Sequence, residues 1–235
     1  MHVTAKGLWM PGQVLLDFDG TIAIEDTTDR LLERFAGPGW RDIEAEWEAQ
    51  RIGSRECMER QVDLVRASRA EMARFIDSIH IDPGFLPFVD ALQAARFEVT
   101  VVSDGLDRIV EGVLARTGIR LPIKANRLEH LGHDRWRLGF PHASANCANA
   151  SGNCKCAHAA SVRGPRIVVG DGRSDFCAAN GADYVFAKGR LQAHCEENGI
   201  AHAPIADLTE ATFMFGARQR HFMPVPVVAH EHAQG

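Results

Sequence analysis

Three short apolar runs along the chain each stop at an acidic residue beside glycine. The runs cover residues 14–18, 97–102 and 166–169, and they lead into Asp-Gly-Thr, Ser-Asp-Gly and Gly-Asp-Gly. Because a short and mainly apolar run is typical of a strand buried on both faces, the pattern predicts a parallel sheet. Ligands of open parallel sheets bind outside the carboxyl ends of the strands. We therefore expect the acids to share one site.

Helical spacing of apolar residues fills the segments between these runs. It predicts helices over 85–95, 106–117, 174–180 and 191–198, and further strands over 121–124 and 184–186. Alternation of strands and helices predicts an α/β fold, a Rossmann-like parallel sheet covered by helices on both faces. The stretch 140–156, rich in Ala, Asn, Ser and Cys, shows no period, and a loop of this length is usually functional or disordered.

The segment between the first two strands, 25–82, shows only helical periodicity. Its apolar stripes comprise Leu31, Leu32 and Phe35, then Trp40, Ile43 and Trp47, then Met58, Val62 and Val65. Ser68 followed by Glu71 predicts a capping box that opens a further helix. We therefore predict a small α-helical cap at 24–83 inserted into a core of 1–23 and 84–218. The tail, 219–235, has no clear period and is expected to be loosely packed or disordered.

Composition narrows the class of protein. The chain has 235 residues, 46% of them hydrophobic, and a net charge of −5, which argues against a broad nucleic-acid surface. It contains no run of about 18 apolar residues, so we expect no membrane-spanning helix. The amino-terminal sequence does not resemble a signal peptide, and six cysteines are too few for a disulfide scaffold. These features favour a cytoplasmic protein.

Two carboxylates at the end of the first strand are the strongest candidates for chemistry. Strand alternation directs Asp17 and Asp19 to the same side. Two carboxylates at the end of an apolar strand repel each other and are unfavourable to bury unless they bind a cation or one of them is protonated. The functional interpretation is a nucleophile and a general acid/base beside a metal ion. Gly20 allows close backbone approach and Thr21 adds a hydroxyl, whereas the alternative is an ordinary Asp-Gly turn.

A second acidic motif, Gly-Asp-Gly-Arg-Ser-Asp, follows the run at 166–169. Its two acids, Asp171 and Asp175, lie four residues apart where a helix is predicted to begin. Mg²⁺ prefers carboxylate oxygens, water and phosphate as ligands. Asp171 is therefore a candidate ligand, and Asp175 a candidate for orienting that ligand or its waters. The alternative is that Ser174 or Asp175 caps the helix.

An anion site is predicted at the end of the second strand. The Ser103 hydroxyl and the backbone N–H groups at Asp104 and Gly105 could hold a phosphate at a helix start. The alternative is that Ser103 is an ordinary N-cap. Lys155 is a lone lysine near the end of the irregular stretch, and it becomes a candidate only because such an anion site exists.

The order of these motifs resembles that of the haloacid dehalogenase superfamily of phosphohydrolases, over nearly the whole chain. The matching features are the DFDGT motif, then Ser103, then Lys155, then GDGRSD. The helical insertion is similar to the cap of the phosphoserine-phosphatase-like branch. Further details, including Glu25-Asp26 and the Cys147 to Lys155 loop, resemble the small phosphatases of the methionine-salvage type. A similar cysteine-lysine loop occurs in the phosphoethanolamine/phosphocholine phosphatases.

The resemblance implies a Mg²⁺-dependent phosphomonoesterase of a small phosphorylated metabolite. Asp17 would be the nucleophile that forms an aspartyl-phosphate, and Asp19 would protonate the leaving group and then activate water. Mg²⁺ would be held by Asp17, the backbone carbonyl of Asp19, and Asp171. The other implied contacts are Gly20, Thr21, Ser103, Asp104, Gly105 and Lys155 for phosphate, and Glu25 and Asp26 for substrate. Asp104 departs from the pattern, since many relatives have glycine there.

Three alternatives stay open from the sequence. The same chemistry could pass the phosphoryl group to a small alcohol, which would make the protein a phosphotransferase. The fold could also serve a non-catalytic regulatory protein that only binds a ligand. Finally, a zinc site could be formed by Cys147, Cys154, Cys156, His142 and His158, although packing of the loop is favoured because the spacing is not that of a Cys-x-x-Cys pair. The sequence gives no indication of the oligomeric state.

Overall fold

A seven-stranded sheet lies at the centre of the computed structural model, which describes residues 11–147 and 149–222. Its strands are β1 (Gln13–Leu16), β2 (Glu98–Leu106), β3 (Ile123–Gly132), β4 (Arg135–Gly139), β5 (Arg166–Gly170), β6 (Tyr184–Ala187) and β7 (His202–Pro204). They are arranged in the order β4-β3-β2-β1-β5-β6-β7. All neighbours pair in parallel except β3 and β4, which form an antiparallel hairpin.

The first apolar run forms the central strand of the sheet. Val14 and Leu16 are fully buried on one side of β1, and Leu15 is buried on the other. In register, Leu16 lies beside Val101 of β2 and Val169 of β5. Burial on both faces explains why residues 14–16 are all apolar. The predicted α/β class with a parallel sheet is confirmed.

Helices cover both faces of the sheet. They are α5 (Phe85–Ala94), α6 (Asp107–Thr117), α7 (Lys155–Ala160), α8 (Phe176–Ala179), α9 (Gly189–Asn198) and α10 (Leu208–Phe222). On one face, Phe88 of α5 packs edge-to-face against Phe186 of β6 and Phe215 of α10. On the other face, Leu191 of α9 joins Leu15, Val168 and Val185 in a second apolar cluster. These layers fix the strand ends at which the acidic motifs lie.

Four helices separate β1 from α5. They are α1 (Thr27–Phe35), α2 (Trp40–Glu48), α3 (Ser54–Val62) and α4 (Arg69–Asp77). The first three bury apolar residues of the predicted stripes, and the predicted capping box of Ser68 and Glu71 is present at the start of α4. The chain leaves and re-enters the core side by side, because Ala23 and Ile81 form an antiparallel bridge. The exact division into core and cap stays a prediction.

The sequence pattern missed several elements outside the centre of the sheet. The predicted strand at 121–124 is the start of the much longer β3, which continues into a hairpin with β4. The elements β7, α7 and α10 were also not predicted. The predicted irregular stretch, 140–156, overlaps α7 at its last two residues, because α7 begins at Lys155. The helix α10 continues four residues into the predicted tail. The rest of that tail, 223–235, lies outside the described residues. Within the described part, none of the helices is long and apolar enough to span a membrane.

Candidate active site

The first acid, Asp17, lies just beyond the end of β1. Its backbone N–H donates to the Val169 carbonyl of β5 at 2.9 Å, so the chain is still held by the sheet at this point. Both hydrogen bonds to its carboxylate in the described residues reach Oδ1, one from the backbone N–H of Phe18 at 2.7 Å and one from Lys155. Asp17 is only 5% exposed. Its side chain is therefore fixed before any ligand binds.

Lys155 ties the irregular loop to this carboxylate. Its Nζ lies 2.6 Å from Asp17 Oδ1 and 2.7 Å from Asp175 Oδ1, and the side chain is almost fully buried. Burial alone would lower the pKa of this lysine, but the two carboxylates raise it above its usual value. Lys155 is therefore a permanently charged group at the carboxyl edge of the sheet.

Three carboxylates converge beside this lysine. Oxygens of Asp17, Asp171 and Asp175 all lie within 4.8 Å of one another, and this is the one group in the described residues that could hold a metal ion. Burial, followed by the charges of Asp175 and Asp171, raises the pKa of Asp17 well above its usual value. Burial and Asp175 likewise raise the pKa of Asp171 to about 6. Three acids facing one ammonium leave excess negative charge, and an all-oxygen donor set fits a hard divalent cation.

A glycine lets the two acidic motifs approach each other. Gly20 has a φ of +68°, in the left-handed region that favours glycine. A Cβ atom at this position would collide with the carboxylate of Asp171. The first and last motifs of the site therefore meet only because position 20 has no side chain.

The second acid, Asp19, is held by the start of α1. Its Oδ1 accepts hydrogen bonds from the backbone N–H of Thr27 at 2.8 Å and from the Thr27 hydroxyl at 2.6 Å. Its Oδ2 accepts a longer bond from the Ser103 hydroxyl, at 3.3 Å. Burial, followed by the charge of Asp26, raises the pKa of Asp19 to about 7. Asp19 can therefore both donate and accept a proton near neutral pH.

Ser103 lies inside β2 and not at its end, because the strand continues to Leu106. The N-cap of α6 is Leu106, so the alternative role of Ser103 as an N-cap is wrong. Ser103 is fully buried, and its hydroxyl accepts a bond from the Gly105 N–H at 2.8 Å. A Cβ atom at Gly105 would collide with Asp19, so this glycine makes room for the acid.

A cavity of about 600 Å³ opens between these groups and the helical insertion. Of the predicted site residues, those that line it are Asp17, Asp19, Gly20, Asp26, Asp104, Gly105 and Asp171. Ser103, Lys155 and Asp175 are buried behind the lining. Two predicted residues lie elsewhere. Glu25 is exposed and forms an ion pair with Arg30 at 2.6 Å. Thr21 is fully buried, and its hydroxyl has no hydrogen-bond partner within the described part of the chain.

Other residues around the cavity were not singled out by the sequence. Thr27 is the first residue of α1, and the sequence does not distinguish it from any other helix start. An acid followed by threonine before an apolar stripe is a capping signal, so it could have indicated where α1 begins. Lys188 donates from Nζ to the Gly20 carbonyl at 2.9 Å and so steadies the first motif. Arg173 stacks 5.1 Å above the ring of Trp47, so the core and α2 touch at the rim of the cavity.

The cysteine loop packs beside the site. The sulfurs of Cys154 and Cys156 lie 3.2 Å apart as free thiols. The rings of His142 and His158 are 5.2 Å apart, and His158 Nε2 lies 2.7 Å from the side-chain oxygen of Asn153. These contacts give His158 a structural role in the loop that carries Lys155.

Comparison with known proteins places the chain in a family. Residues 14–180 match the family of haloacid dehalogenase-like hydrolases. The 2-hydroxy-3-keto-5-methylthiopentenyl-1-phosphate phosphatase of Exiguobacterium sp. (strain ATCC BAA-1283 / AT1b) is 35% identical over 201 residues, which cover 83% of this chain and 93% of the relative. The enzyme of the same name from Geobacillus kaustophilus (strain HTA426) is 31% identical, over 81% of this chain and 89% of its own.

The fold also matches solved structures. A substrate-bound phosphoserine phosphatase complex superposes with a TM-score of 0.66 at 20% identity, over 88% of this chain and 99% of that chain. The comparisons confirm the resemblance read from the motifs. They also support a phosphatase over the alternatives of a phosphotransferase and a non-catalytic binding protein. The chain belongs to the haloacid dehalogenase-like hydrolase family.

Proposed function

We propose that this protein is a Mg²⁺-dependent phosphomonoesterase that hydrolyses a small phosphorylated metabolite through an aspartyl-phosphate on Asp17. The observation that carries the proposal is the buried cluster in which Asp17 meets Lys155, Asp171 and Asp175 at the wall of a cavity. Burying a carboxylate without a compensating charge or hydrogen bond is unfavourable in free energy. The cluster is accounted for if it receives a divalent cation together with a phosphoryl group.

Asp17 is the nucleophile in this proposal. Lys155 and the Phe18 N–H hold one carboxylate oxygen, which orients the side chain for attack on phosphorus. The bond from phosphorus to the ester oxygen breaks as the bond to Asp17 forms. Lys155 then stabilises negative charge on the phosphoryl oxygens, and the buried setting makes that interaction strong.

Asp19 acts first as the general acid and then as the general base in this proposal. With a pKa of about 7, a substantial fraction is protonated at neutral pH and can protonate the departing alkoxide. The resulting carboxylate can then take a proton from the water that hydrolyses the aspartyl-phosphate. Thr27 and Ser103 hold Asp19 in place through both steps.

The residues present fit Mg²⁺. Asp17, Asp171 and the backbone carbonyl of Asp19 would hold it, and Asp175 would orient Lys155. When bound, the ion supplies charge neutralisation for the phosphoryl group. Phosphate would be held by Ser103, Lys155 and the backbone at Gly20 and Gly105.

The cavity limits the substrate to a small molecule. Its outer wall is formed by the insertion and includes Asp26, Trp47 and Met58. The similarity to enzymes named for 2-hydroxy-3-keto-5-methylthiopentenyl-1-phosphate makes this compound the first candidate, with phosphoserine, phosphoethanolamine and phosphocholine next. A cytoplasmic location is part of the proposal, supported by free thiols at all six cysteines.

A screen of phosphorylated metabolites with release of inorganic phosphate as the readout tests the function. We expect turnover of at least one small phosphomonoester, with the four compounds above in the first set. The Asp17→Asn protein serves as the blank for contaminating phosphatases. A folded wild-type protein that releases phosphate from none of the metabolites, with Mg²⁺ present, contradicts the proposal.

Activity should depend on Mg²⁺ and be lost in excess EDTA. The Asp171→Ala protein should need a higher Mg²⁺ concentration for half-maximal activity, because it lacks one of the carboxylates facing the ion. A titration of Mg²⁺ against initial rate measures this. Asp183→Ala, which removes an acid outside the cavity lining and the carboxylate cluster, should leave the Mg²⁺ requirement near that of the wild type. Full activity of the wild type in EDTA would contradict the metal assignment.

Metal-free protein should lose stability as the pH rises from about 5 to 8. The folded-state pKa values of Asp171 and Asp19 are raised to about 6 and 7, so the protonated forms are favoured by folding. That contribution is present below the unfolded-state pKa and is lost as pH rises through the folded values. Mg²⁺ at a hundredfold excess over Kd should then raise Tm by about 5–10 °C.

Melting curves in EDTA and in Mg²⁺ at several pH values check this expectation. The gain from Mg²⁺ should be larger at pH 8 than at pH 5.5, because protons compete with the ion for the same oxygens. In Asp171→Asn the gain should shrink. An equal gain at both pH values would show that the ion binds elsewhere.

A further inference from the structure

A partly buried carboxylate at the junction of the core and the insertion has no part in the proposed chemistry. Asp104 follows Ser103 in β2 and accepts hydrogen bonds from three other segments. The Ser54 hydroxyl reaches Oδ2 at 2.9 Å, and the backbone N–H of Asn153 reaches Oδ1 at 2.8 Å. The side-chain amide of Asn126 reaches the Asp104 carbonyl at 2.6 Å and Oδ1 at 3.2 Å. One side chain therefore joins α3, the loop and β3.

The loop contact of Asp104 lies two residues from the catalytic lysine. Asn153 is buried, and its side-chain amide also donates to the carbonyls of Ser103 at 2.8 Å and Lys124 at 2.7 Å. These bonds hold the chain in one register against β2 and β3. Lys155 begins α7 directly after Cys154. Asp104 therefore helps to set the point from which Lys155 reaches Asp17.

The hydrogen bond between Asp104 and Ser54 of the insertion is accompanied by close packing between the loop and the start of α3. The backbone N–H of Arg55 donates to the Ala150 carbonyl at 3.3 Å. A Cβ atom at Gly53 would collide with Ala150, so the loop lies directly against the start of α3. Ser54 and Asp104 both line the cavity, and Met58 of the same helix does so one turn further along. The position of α3 therefore determines the outer wall of the cavity.

The hydrogen bonds of Asp104 are made at the wall of the cavity, where the carboxylate is partly buried. Burial raises the pKa of its carboxyl, whereas the bonds from Asn153, Asn126 and Ser54 lower it. Bonds to a carboxylate are stronger than those between neutral groups, and removal of the acceptor leaves buried donors unsatisfied. Losing Asp104 should therefore loosen several segments at once, whereas losing Ser54 should loosen one.

We propose that Asp104 is a positioning residue that couples the position of the helical insertion to the placement of Lys155. One carboxylate oxygen holds α3 through Ser54, and the other holds the loop through Asn153. The inference rests on the proposed phosphatase function for its kinetic consequence, but the structural coupling is measurable without turnover.

Backbone hydrogen–deuterium exchange of the full-length protein tests the coupling independently of activity. Ser54→Ala should raise exchange at the start of α3, with little change at 153–155. Asp104→Ala should raise exchange in both segments. Asp104→Asn keeps the side-chain volume and covers the case in which the alanine variant does not fold. Ser78→Ala, which removes a hydroxyl of the insertion that bonds only within its own turn, is the matched control.

Kinetics with p-nitrophenyl phosphate, and inhibition by inorganic phosphate, test the consequence. Ser54→Ala should raise KM about 3- to 10-fold and leave the Ki of phosphate within twofold, because phosphate is held by the core. Ser54→Thr should restore KM. Asp104→Ala and Asp104→Asn should lower kcat about 10-fold or more and raise the Ki of phosphate.

The two experiments distinguish failure of the proposed phosphatase function from failure of the proposed coupling by Asp104. Wild-type protein without phosphatase activity, but with the expected exchange pattern, would reject the function and keep the coupling. Wild-type exchange at α3 in Ser54→Ala, or at 153–155 in both Asp104 variants, would overturn the coupling. Equal KM and Ki values in an active wild type and the Asp104 variants would overturn it as well.

Discussion

Asp17→Asn should reduce turnover by about 10⁴-fold or more while leaving the fold intact, as loss of a catalytic nucleophile does. An amide cannot form the phosphoryl bond that the proposed reaction requires. The structural cost should be small because an asparagine oxygen at the same position can still accept from the Phe18 N–H. Lys155 also keeps its second partner, Asp175. Phosphate release measured at saturating substrate, with a melting curve for the same sample, checks both parts.

The matched control for this substitution is Asp90→Asn. Asp90 is exposed on α5, so the same change of charge is made on the core but away from the cavity. Its activity should stay within about twofold of the wild type, since surface changes rarely matter. Substantial phosphate release by pure, folded Asp17→Asn protein would mean that another group is the nucleophile.

The centre of the fold was predictable because it is determined by local pattern. Val14, Leu15 and Leu16 of β1 are buried on both faces of the sheet, so they appear in the sequence as consecutive apolar residues directly before Asp17. The helices of the insertion bury one stripe each, which shows as helical spacing. The same logic fails at the sheet edge. In β3, half-buried residues such as Lys124 and His130 are mixed with buried ones, so the alternation is weak.

The candidate site was predictable only where its residues follow strands. Asp17, Asp19 and Asp171 lie at strand ends, and neighbouring strand ends meet at one edge of a parallel sheet. Thr27, Asn153 and Lys188 reach the site from a helix, a loop and a different strand end, and no period in the sequence links them to it. Asp104 shows the same limit, since its partners are set by tertiary packing and not by spacing.

Lys155→Ala should lower kcat/KM by about 10²-fold or more, the size of loss that follows removal of a comparable electrostatic donor. As a buried point charge, Lys155 should stabilise both the bound phosphoryl group and the transition state, so affinity and rate should fall together. Removing it also leaves Asp17 and Asp175 facing each other without a buried cation. The metal-free variant should therefore melt below the wild type, and Mg²⁺ should recover part of the difference.

Two further lysine substitutions determine what is special about position 155. Lys155→Arg should restore little activity, because a planar guanidinium does not fit the space between two carboxylates that a compact ammonium fills. Lys124→Ala removes a lysine from a nearby strand whose backbone carbonyl, and not its ammonium, accepts the Asn153 hydrogen bond, so it should retain most of the activity. Near-normal kcat/KM for Lys155→Ala on the best substrate would mean that Lys155 does not act on the phosphoryl group and that the loop has only a structural role. Neutralisation of the phosphate would then have to come from another cation, and Lys188, which reaches the Gly20 carbonyl, would be the next residue to substitute.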